Sequence, residues 1–465
     1  MTNTIQEPAS ARRLRALDDH VPQYASYPTA DRFVEAFSSD DHAHALKQRR
    51  SGLATRAMPL SLYVHIPFCE SLCHFCSCHK IITRQHGRAA AYLRYLNMEV
   101  DLHTADLGLG QAVAQLHLGG GTPTFLADSE LGALMAMLHR SFLLAPAGGY
   151  SIEVDPRSVD ARRMDTLAQL GFNRVSFGVQ DFDAAVQKEV NRKHSSDQVN
   201  SLVEAARASG FASVNIDLMY GLPRQTPDSF DRTVARVAQI RPDRIALYGY
   251  AHIPELVRAQ RRISAPDLPD AQTQAAMLLR SRETLVSAGY VHIGMAHFAL
   301  PDDALAVARR QGRLHRTIQG YSTQPECDLV GLGVSAMGRA GATYSQNART
   351  LQAYCALLDH GRFPVVRGIA LTRDDLVRRA VINALICQGL VVFESIDLAY
   401  LIDFSNYFST EMAALRELAA QGLVTLDTTE IALTDGGRFF APTVAMVFDR
   451  YLQNDRLRTR YAGII

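Results

Sequence analysis

The sequence contains no tryptophan and carries almost no net charge, with 48 Lys and Arg against 47 Asp and Glu. It also has no apolar run of the roughly 18 residues that a membrane helix needs, so no span is expected. Without a basic stripe, the electrostatic footprint of a nucleic-acid binder is missing. Tandem repeats and low-complexity segments are absent too, which excludes solenoids and long biased linkers. Cysteine is scarce and odd in number, 7 in 465 residues, and the opening Met1-Thr-Asn-Thr-Ile-Gln6 has no apolar signal core. A disulfide framework is therefore disfavoured, and a reducing, cytoplasmic setting is expected. With 47% hydrophobic residues the chain can bury a large core, and its length suggests two or three domains.

What is present is concentrated. Cys69, Cys73 and Cys76 are spaced C-x3-C-x2-C directly after the apolar run 61–66. Three thiolates can ligate an iron–sulfur cluster and stop one short of the four that would close a cubane. An iron without a protein ligand stays open to a small molecule, which catalysis needs and a structural site avoids. Zinc is the competing reading, because His65, His74 and His79 crowd the loop, but no distal ligand pair follows.

Short segments rich in Val, Ile and Leu alternate with longer amphipathic stretches, the pattern of β-α units around a parallel sheet. Strands are expected near 62–66, 113–118, 151–154, 174–179, 214–219 and 244–250, with helices over 87–102, 128–141, 160–170, 199–209 and 228–240. Six such units are too few for a closed eight-stranded barrel, so the expected fold is an α/β open partial (β/α)6 TIM-like barrel. In such barrels the working groups sit at the C-terminal strand ends, where Cys69, Gly119–Gly121, Glu153, Gln180 and Asp217 fall. The glycines would let backbone groups approach a ligand, and the lack of a following lysine argues against a phosphate loop. Asp217 suits ribose hydroxyls and Arg192 suits a carboxylate, the plain alternative for Arg192 being a solvated charge.

The stretch Tyr63-Val-His-Ile-Pro-Phe-Cys69-Glu-Ser-Leu-Cys73-His-Phe-Cys76-Ser-Cys78 resembles the radical S-adenosylmethionine (SAM) enzymes, and among them the oxygen-independent coproporphyrinogen III oxidases. Further blocks resemble that family in its order: Tyr24-Ala-Ser-Tyr-Pro-Thr29, Gly119-Gly-Gly-Thr-Pro123, Glu153-Val-Asp-Pro156, Gly178-Val-Gln-Asp-Phe182, Asn215-Ile-Asp217 onward, and Leu371-Thr-Arg-Asp-Asp375. The resemblance implies an N-terminal extension over 1–55, a barrel domain over 56–300, a segment lining the substrate site over 301–370, and a mainly helical, winged-helix-like C-terminal domain over 371–465. That last region should open on a capping box at Thr372, stay helical to about Gln421, form a hairpin from 423–426 and 430–433, and end in a helix near 441–452. With no basic face, it is expected to act as a lid rather than a DNA reader.

The resemblance also implies that Cys69, Cys73 and Cys76 hold a [4Fe-4S] cluster and that two molecules of SAM bind. Tyr63, Gly120, Glu153 and Met337 would hold the first; Phe75, Gly121, Thr122, Gln180, Arg192, Asp217 and Ala251 the second; and Tyr63 and Gln319 would be catalytic. Cys78 matches a further family cysteine that is no cluster ligand, its bland alternative being a small buried hydrophobe. The implied reaction is the anaerobic conversion of two propionates of the tetrapyrrole coproporphyrinogen III to vinyl groups in haem biosynthesis. The protein is expected to be a monomer supplied with electrons by a flavodoxin or ferredoxin. Arg84, Arg261, Arg262 and Arg316 are the sequence's candidates for the substrate carboxylates. Ser77, His79, Gly249, Ala296 and Ile318 depart from the family's usual residues. They leave two alternatives open, a radical SAM paralogue such as a methyltransferase and a haem-binding trafficking protein. The trafficking group typically lacks the cysteine at position 78 and is shorter at its N-terminus.

Overall fold

The computed structural model describes residues 24–318, 320–324 and 327–455. Six parallel strands form the centre of one twelve-stranded sheet: β1 Leu60–Ile66, β2 Gln111–Gly120, β3 Phe142–Val154, β4 Arg174–Gln180, β5 Ser213–Tyr220 and β6 Arg244–Gly249. β7 Val291–Gly294 and β8 His297–Ala299 extend the sheet beyond β6, with β8 antiparallel to it. On the other side lie β9 Asp328–Leu332, β10 Met337–Ala340, β11 Thr343–Asn347 and β12 Val365–Ala370. The edge strands β12 and β7 do not pair, so the barrel is open, as expected.

The seventh parallel strand, β9, joins β1 with Leu60 opposite Asp328, a pairing that the sequence pattern does not reveal. Its run Asp328-Leu-Val-Gly-Leu332 is short and is followed by antiparallel strands instead of a helix, so no β-α period marks it. The segment 301–370 thus supplies four strands of the main sheet.

Alternation along the central strands decides what faces where. Leu62, Val64, Leu116, Leu118, Ile152, Val175, Phe177, Ile216 and Ile245 are buried in a single apolar core. The helices Gly87–Leu107, Asp128–Ser141, Ala161–Gln169, Ser196–Ala208 and Pro227–Ile240 add their own apolar residues to it, among them Leu96, Leu134, Leu167, Val203 and Val234. The intervening residues Gln115, His117, Ser151, Glu153, Ser176, Asn215 and Asp217 line the barrel interior.

The C-terminal region begins on Thr372, whose capping box with Asp375 starts the helix Arg373–Cys387. A three-stranded sheet, Leu390–Val392 beside Glu430–Leu433 beside Val424–Leu426, completes a winged-helix-like unit around its own apolar core. Tyr24 and Tyr27 from the start of the described chain belong to that core, and Tyr24 Oη donates to Asp449 at 3.0 Å. The expected single helix over 441–452 is corrected to separate pieces, because Asp449 takes an extended backbone and its carboxylate accepts from the Tyr451 and Leu452 amides.

Glu99 ties the first barrel helix to the strands beyond β9. Its fully buried carboxylate accepts from Tyr354 Oη at 2.6 Å, Gly333 N at 2.7 Å and Asn347 Nδ2 at 2.6 Å. Burial pushes its pKa from 4.5 up to about 7 despite these donors. A carboxyl whose folded pKa is raised binds more protons folded than unfolded between those values, so its stabilising contribution is lost as pH rises through about 7. Urea unfolding of Glu99→Gln and parent across pH 4.5 to 7.5 should show the parent losing roughly 3 kcal/mol relative to the variant. Parallel stability curves would contradict the assignment.

Candidate active site

The three cysteines leave β1 on a loop that returns to the barrel mouth. The short strand Phe68–Cys69 pairs with Ile81–Ile82 and so closes the loop at its base. Cys69 Sγ lies 3.4 Å from Thr122 Oγ1, and Cys73 Sγ is approached by Arg157 Nη2 at 3.3 Å and Arg192 Nη1 at 3.4 Å. Both arginines also bind Asp155, Arg192 at 3.1 Å and Arg157 at 2.6 Å. Burial pushes the Cys69 thiol up to about 11, whereas Cys76 is brought down to about 6, chiefly by a hydrogen bond with Cys78 and further by Lys80. Cys78 itself is exposed, not a buried hydrophobe.

The thiols of Cys69, Cys73 and Cys76 line one cavity of about 550 Å³ together with Phe75, Gly120, Gly121, Thr122, Glu153, Gln180, Arg192 and Asp217. Tyr63 and Met337 line a second cavity of about 470 Å³, which shares Cys78, Gly120 and Glu153 with the first. A third, of about 200 Å³, runs down the barrel interior from Glu153, Ser176 and Asp217. Glu153 borders all three. Ala251 lines none of them, but its carbonyl and that of Phe75 both accept from the buried Gln260 Nε2, at 3.0 and 3.1 Å. Gln319 lies outside the described residues.

Electrostatics divides the two interior carboxylates. Burial alone would raise Glu153, but His117 Nε2 at 3.0 Å and the Gly120 amide at 3.2 Å outweigh it and hold the carboxyl below its usual range. Asp217 is pushed up to about 6 by burial, against donors from Ser176 and Asn215, each at 2.8 Å. Tyr63 and His65 form a fixed pair. His65 Nε2 lies 3.0 Å from the His79 carbonyl, so it carries the proton, and Nδ1 accepts from Tyr63 Oη at 3.1 Å.

Close packing rather than flexibility explains the glycine run. A Cβ on Gly120, which has φ +115°, would meet the His65 ring at 2.6 Å, and one on Gly121 would meet the Pro67 backbone at 2.7 Å. Tyr220 packs against Gly249, its hydroxyl lying 2.9 Å from where a Cβ would stand. Ile318 lines the second cavity, and Ala296 sits in the β7–β8 turn with its carbonyl accepting from Leu247 N at 2.7 Å.

Comparison with known proteins places this geometry. The model of the radical SAM superfamily matches residues 63–237, and that of the HemN C-terminal domain matches residues 371–440. An oxygen-independent coproporphyrinogen III oxidase from Pseudomonas aeruginosa is 47% identical over 100% of both chains, and one from Escherichia coli is 44% identical over 96% of each. The chain belongs to this radical SAM family. A solved structure of coproporphyrinogen III oxidase from Escherichia coli, described as a radical SAM enzyme, superposes with a TM-score of 0.88 at 45% identity. It covers 92% of this chain and 97% of its own.

A radical SAM protein carries a [4Fe-4S] cluster and SAM, and the residues present fit both. The cysteine thiols are free, and two guanidinium groups stand at the Cys73 sulfur. His65 has both ring nitrogens committed, Nε2 to the His79 carbonyl and Nδ1 to Tyr63 Oη, so it is not available as a metal ligand. Gln180 is held at φ +72° with its buried Oε1 unpartnered among the described residues, an acceptor awaiting a donor in the first cavity. Sequence reasoning missed His117, Asp155, Arg157 and Gln260, which hold the expected residues in place. Of these, His117 and Asp155 share the two-residue period of Glu153 and were within reach of pattern analysis; Gln260 gave no signal.

Gly121→Ala should destabilise the protein by about 1–3 kcal/mol, because the added methyl meets backbone atoms that cannot rotate away. Gly87→Ala, at a helix start with nothing within 4 Å, should be neutral or slightly stabilising in the same urea titration. Equal effects at the two positions would refute the packing account.

Proposed function

We propose that this chain is an oxygen-independent coproporphyrinogen III oxidase, converting two propionates of coproporphyrinogen III to the vinyl groups of protoporphyrinogen IX. The observation that carries the reading is the convergence of the cysteine triad, Gly120–Gly121 and Glu153 on one mouth, in a chain 47% identical over its full length to a protein of that name. When bound, the cluster and SAM supply a carbon-centred radical able to abstract an unactivated hydrogen atom. Each propionate then loses a hydrogen atom from the carbon beside the ring, one electron to an external acceptor, and CO2.

The chain's own groups bind and orient. Cys69, Cys73 and Cys76 would hold the cluster, with Arg157 and Arg192 balancing the charge at Cys73. Glu153, ionised and held by His117, offers its carboxylate to the ammonium of one SAM beside Tyr63, Gly120 and Met337. A second SAM would lie against Phe75, Gly121, Thr122, Gln180, Arg192, Asp217 and Ala251. Supporting it are the unpartnered Gln180 oxygen, the cavity of about 550 Å³ and the shared Gln260 contact that joins Phe75 to Ala251. Asp217, with a pKa of about 6, is ionised at neutral pH and can accept from ribose hydroxyls. Gln319 and Tyr63 are proposed to act at the substrate, Tyr63 from the cavity that Ile318 borders. The free cluster thiols call for a reducing, cytoplasmic location, and a small carrier such as a flavodoxin or ferredoxin is the proposed electron donor to a monomer.

Anaerobic incubation of reconstituted protein with coproporphyrinogen III, SAM and a reductant should yield protoporphyrinogen IX through a monovinyl intermediate; SAM cleavage without CO2 release would overturn the reading. Cys69→Ala, Cys73→Ala and Cys76→Ala should each lose cluster iron and its charge-transfer absorbance, whereas Cys355→Ala and Cys387→Ala should match the parent. For the second SAM, equilibrium dialysis should give two molecules bound to the parent and about one to Asp217→Ala under conditions where a loss of roughly ten- to a hundredfold in affinity empties that site. A parent that binds one would remove the second site.

A further inference from the structure

The cavity bordered by Tyr63, Gly120 and Glu153 has a far wall that no part of the reading above uses. Arg349 and Arg367 form it. Met337 on β10 lies opposite Gln346 on β11, which lies opposite Arg367 on β12, so the three stand in one row across the sheet and all reach the same cavity. With strands about 4.8 Å apart, Arg367 stands about 10 Å from Met337, the residue proposed above to lie beside the first SAM. Gln346 Oε1 accepts from Arg367 Nε at 2.6 Å, and the guanidinium lies 5.9 Å from the centre of the Phe33 ring. These contacts fix the guanidinium while leaving its terminal nitrogens available. Arg349 follows β11 by two residues, is exposed, and is near enough to Arg367 and His79 to depress the pKa of each.

Among the described residues neither guanidinium makes an ion pair; Asp31 and Glu35 act on Arg367 only through longer-range attraction. Two like charges sharing a partly buried wall without a counter-ion cost stability, and a bound anion offsets that cost. The rest of the cavity selects the kind of anion. Ile318, Leu329 and Met337 present apolar surface, which suits a large ring carrying carboxylates at its rim and not a small hydrated ion. We propose that Arg349 and Arg367 are the propionate clamp of the substrate site, gripping carboxylates at one edge of the tetrapyrrole so that a propionate at another edge is presented toward Tyr63 and Glu153. The assignment rests on the function proposed above. It replaces the sequence's candidates Arg84, Arg261 and Arg262, which are exposed and border none of the three cavities. The forked guanidinium is the group best shaped for the task, since it can bind a carboxylate through two parallel bonds.

The test uses the cluster-reconstituted full chain as parent, R349A, R367A, the double variant and R349K/R367K. Fluorescence titration with coproporphyrin III, the oxidised form of the substrate, should show affinity falling about tenfold for each single variant and about a hundredfold for the double. The lysine pair should recover part of the loss. Coproporphyrin III tetramethyl ester, which has the ring but no carboxylates, should bind all five proteins alike. With coproporphyrinogen III, KM should rise far more than kcat falls, iron content should match the parent, and thermal unfolding should occur at or above the parent's temperature. Should Arg367→Ala disturb folding through Gln346, R349A carries the test alone, because its side chain is exposed and bonded to nothing the fold needs. Unchanged coproporphyrin III affinity in R349A and the double variant, in a parent that makes protoporphyrinogen IX, would overturn the clamp and leave the function standing. A parent that neither binds coproporphyrin III nor turns over its porphyrinogen would overturn both.

Discussion

A parallel strand flanked by helices has one face committed to an apolar core, so its chemistry must be carried by every second residue. The molecule is organised by that constraint. Leu62, Val64, Leu116, Leu118, Ile152, Phe177 and Ile216 sit in the core between sheet and helices. The residues between them, Tyr63, His65, His117, Glu153, Ser176 and Asp217, are then left to face cavities. A one-residue slip in any of these strands would put a carboxylate or imidazole into the core and a leucine into the site, so register is enforced by a large free-energy difference.

Polar groups gathered in that way must satisfy one another before a ligand arrives. Glu153 is held by His117 and the Gly120 amide, Asp217 by Ser176 and Asn215, and Asp155 by Arg157 and Arg192. Each carboxylate is thereby fixed in position with acceptor capacity to spare, which is the preorganisation a binding site needs. The two carboxylates at the mouth differ because their partners differ. Glu153 faces an imidazole and stays low, while Asp217 has only neutral donors and is pushed up to about 6. Some groups facing the cavities keep capacity to spare: the Gln180 oxygen has no partner, and Arg349 and Arg367 make no ion pair, among the described residues.

Regions outside the barrel act by closing it. The β9–β12 strands extend the sheet beyond β1 and bring Met337 and Arg367 to the cavity from residues far along the chain. The C-terminal unit packs against the opposite edge, where His292 next to β8 stacks on Phe439 at 4.0 Å between ring centres. Tyr321 Oη, on the hairpin that carries Ile318, donates to Ile386 O at 3.1 Å, so that unit also steadies the hairpin. Tyr24 and Tyr27 anchor the start of the described chain in the same C-terminal core.

Local pattern determined a good deal. The cysteine spacing pointed to an iron–sulfur cluster, short apolar segments between amphipathic stretches located six strands, and the Thr372 capping box marked the C-terminal helix start, because each is set by residues within a few positions of one another. Tertiary structure decided the rest. β9 has no helical neighbour to announce it, and the apparent helix over 441–452 breaks where Asp449 meets Tyr24, a partner 425 positions away. Arg349 and Arg367 lie in unremarkable sequence, and only strand pairing sets Arg367 beside Gln346 and Met337. Spacing along the chain can specify a motif whose parts are close in sequence; a cavity wall built from separate strands is specified only by the pairing that brings them together.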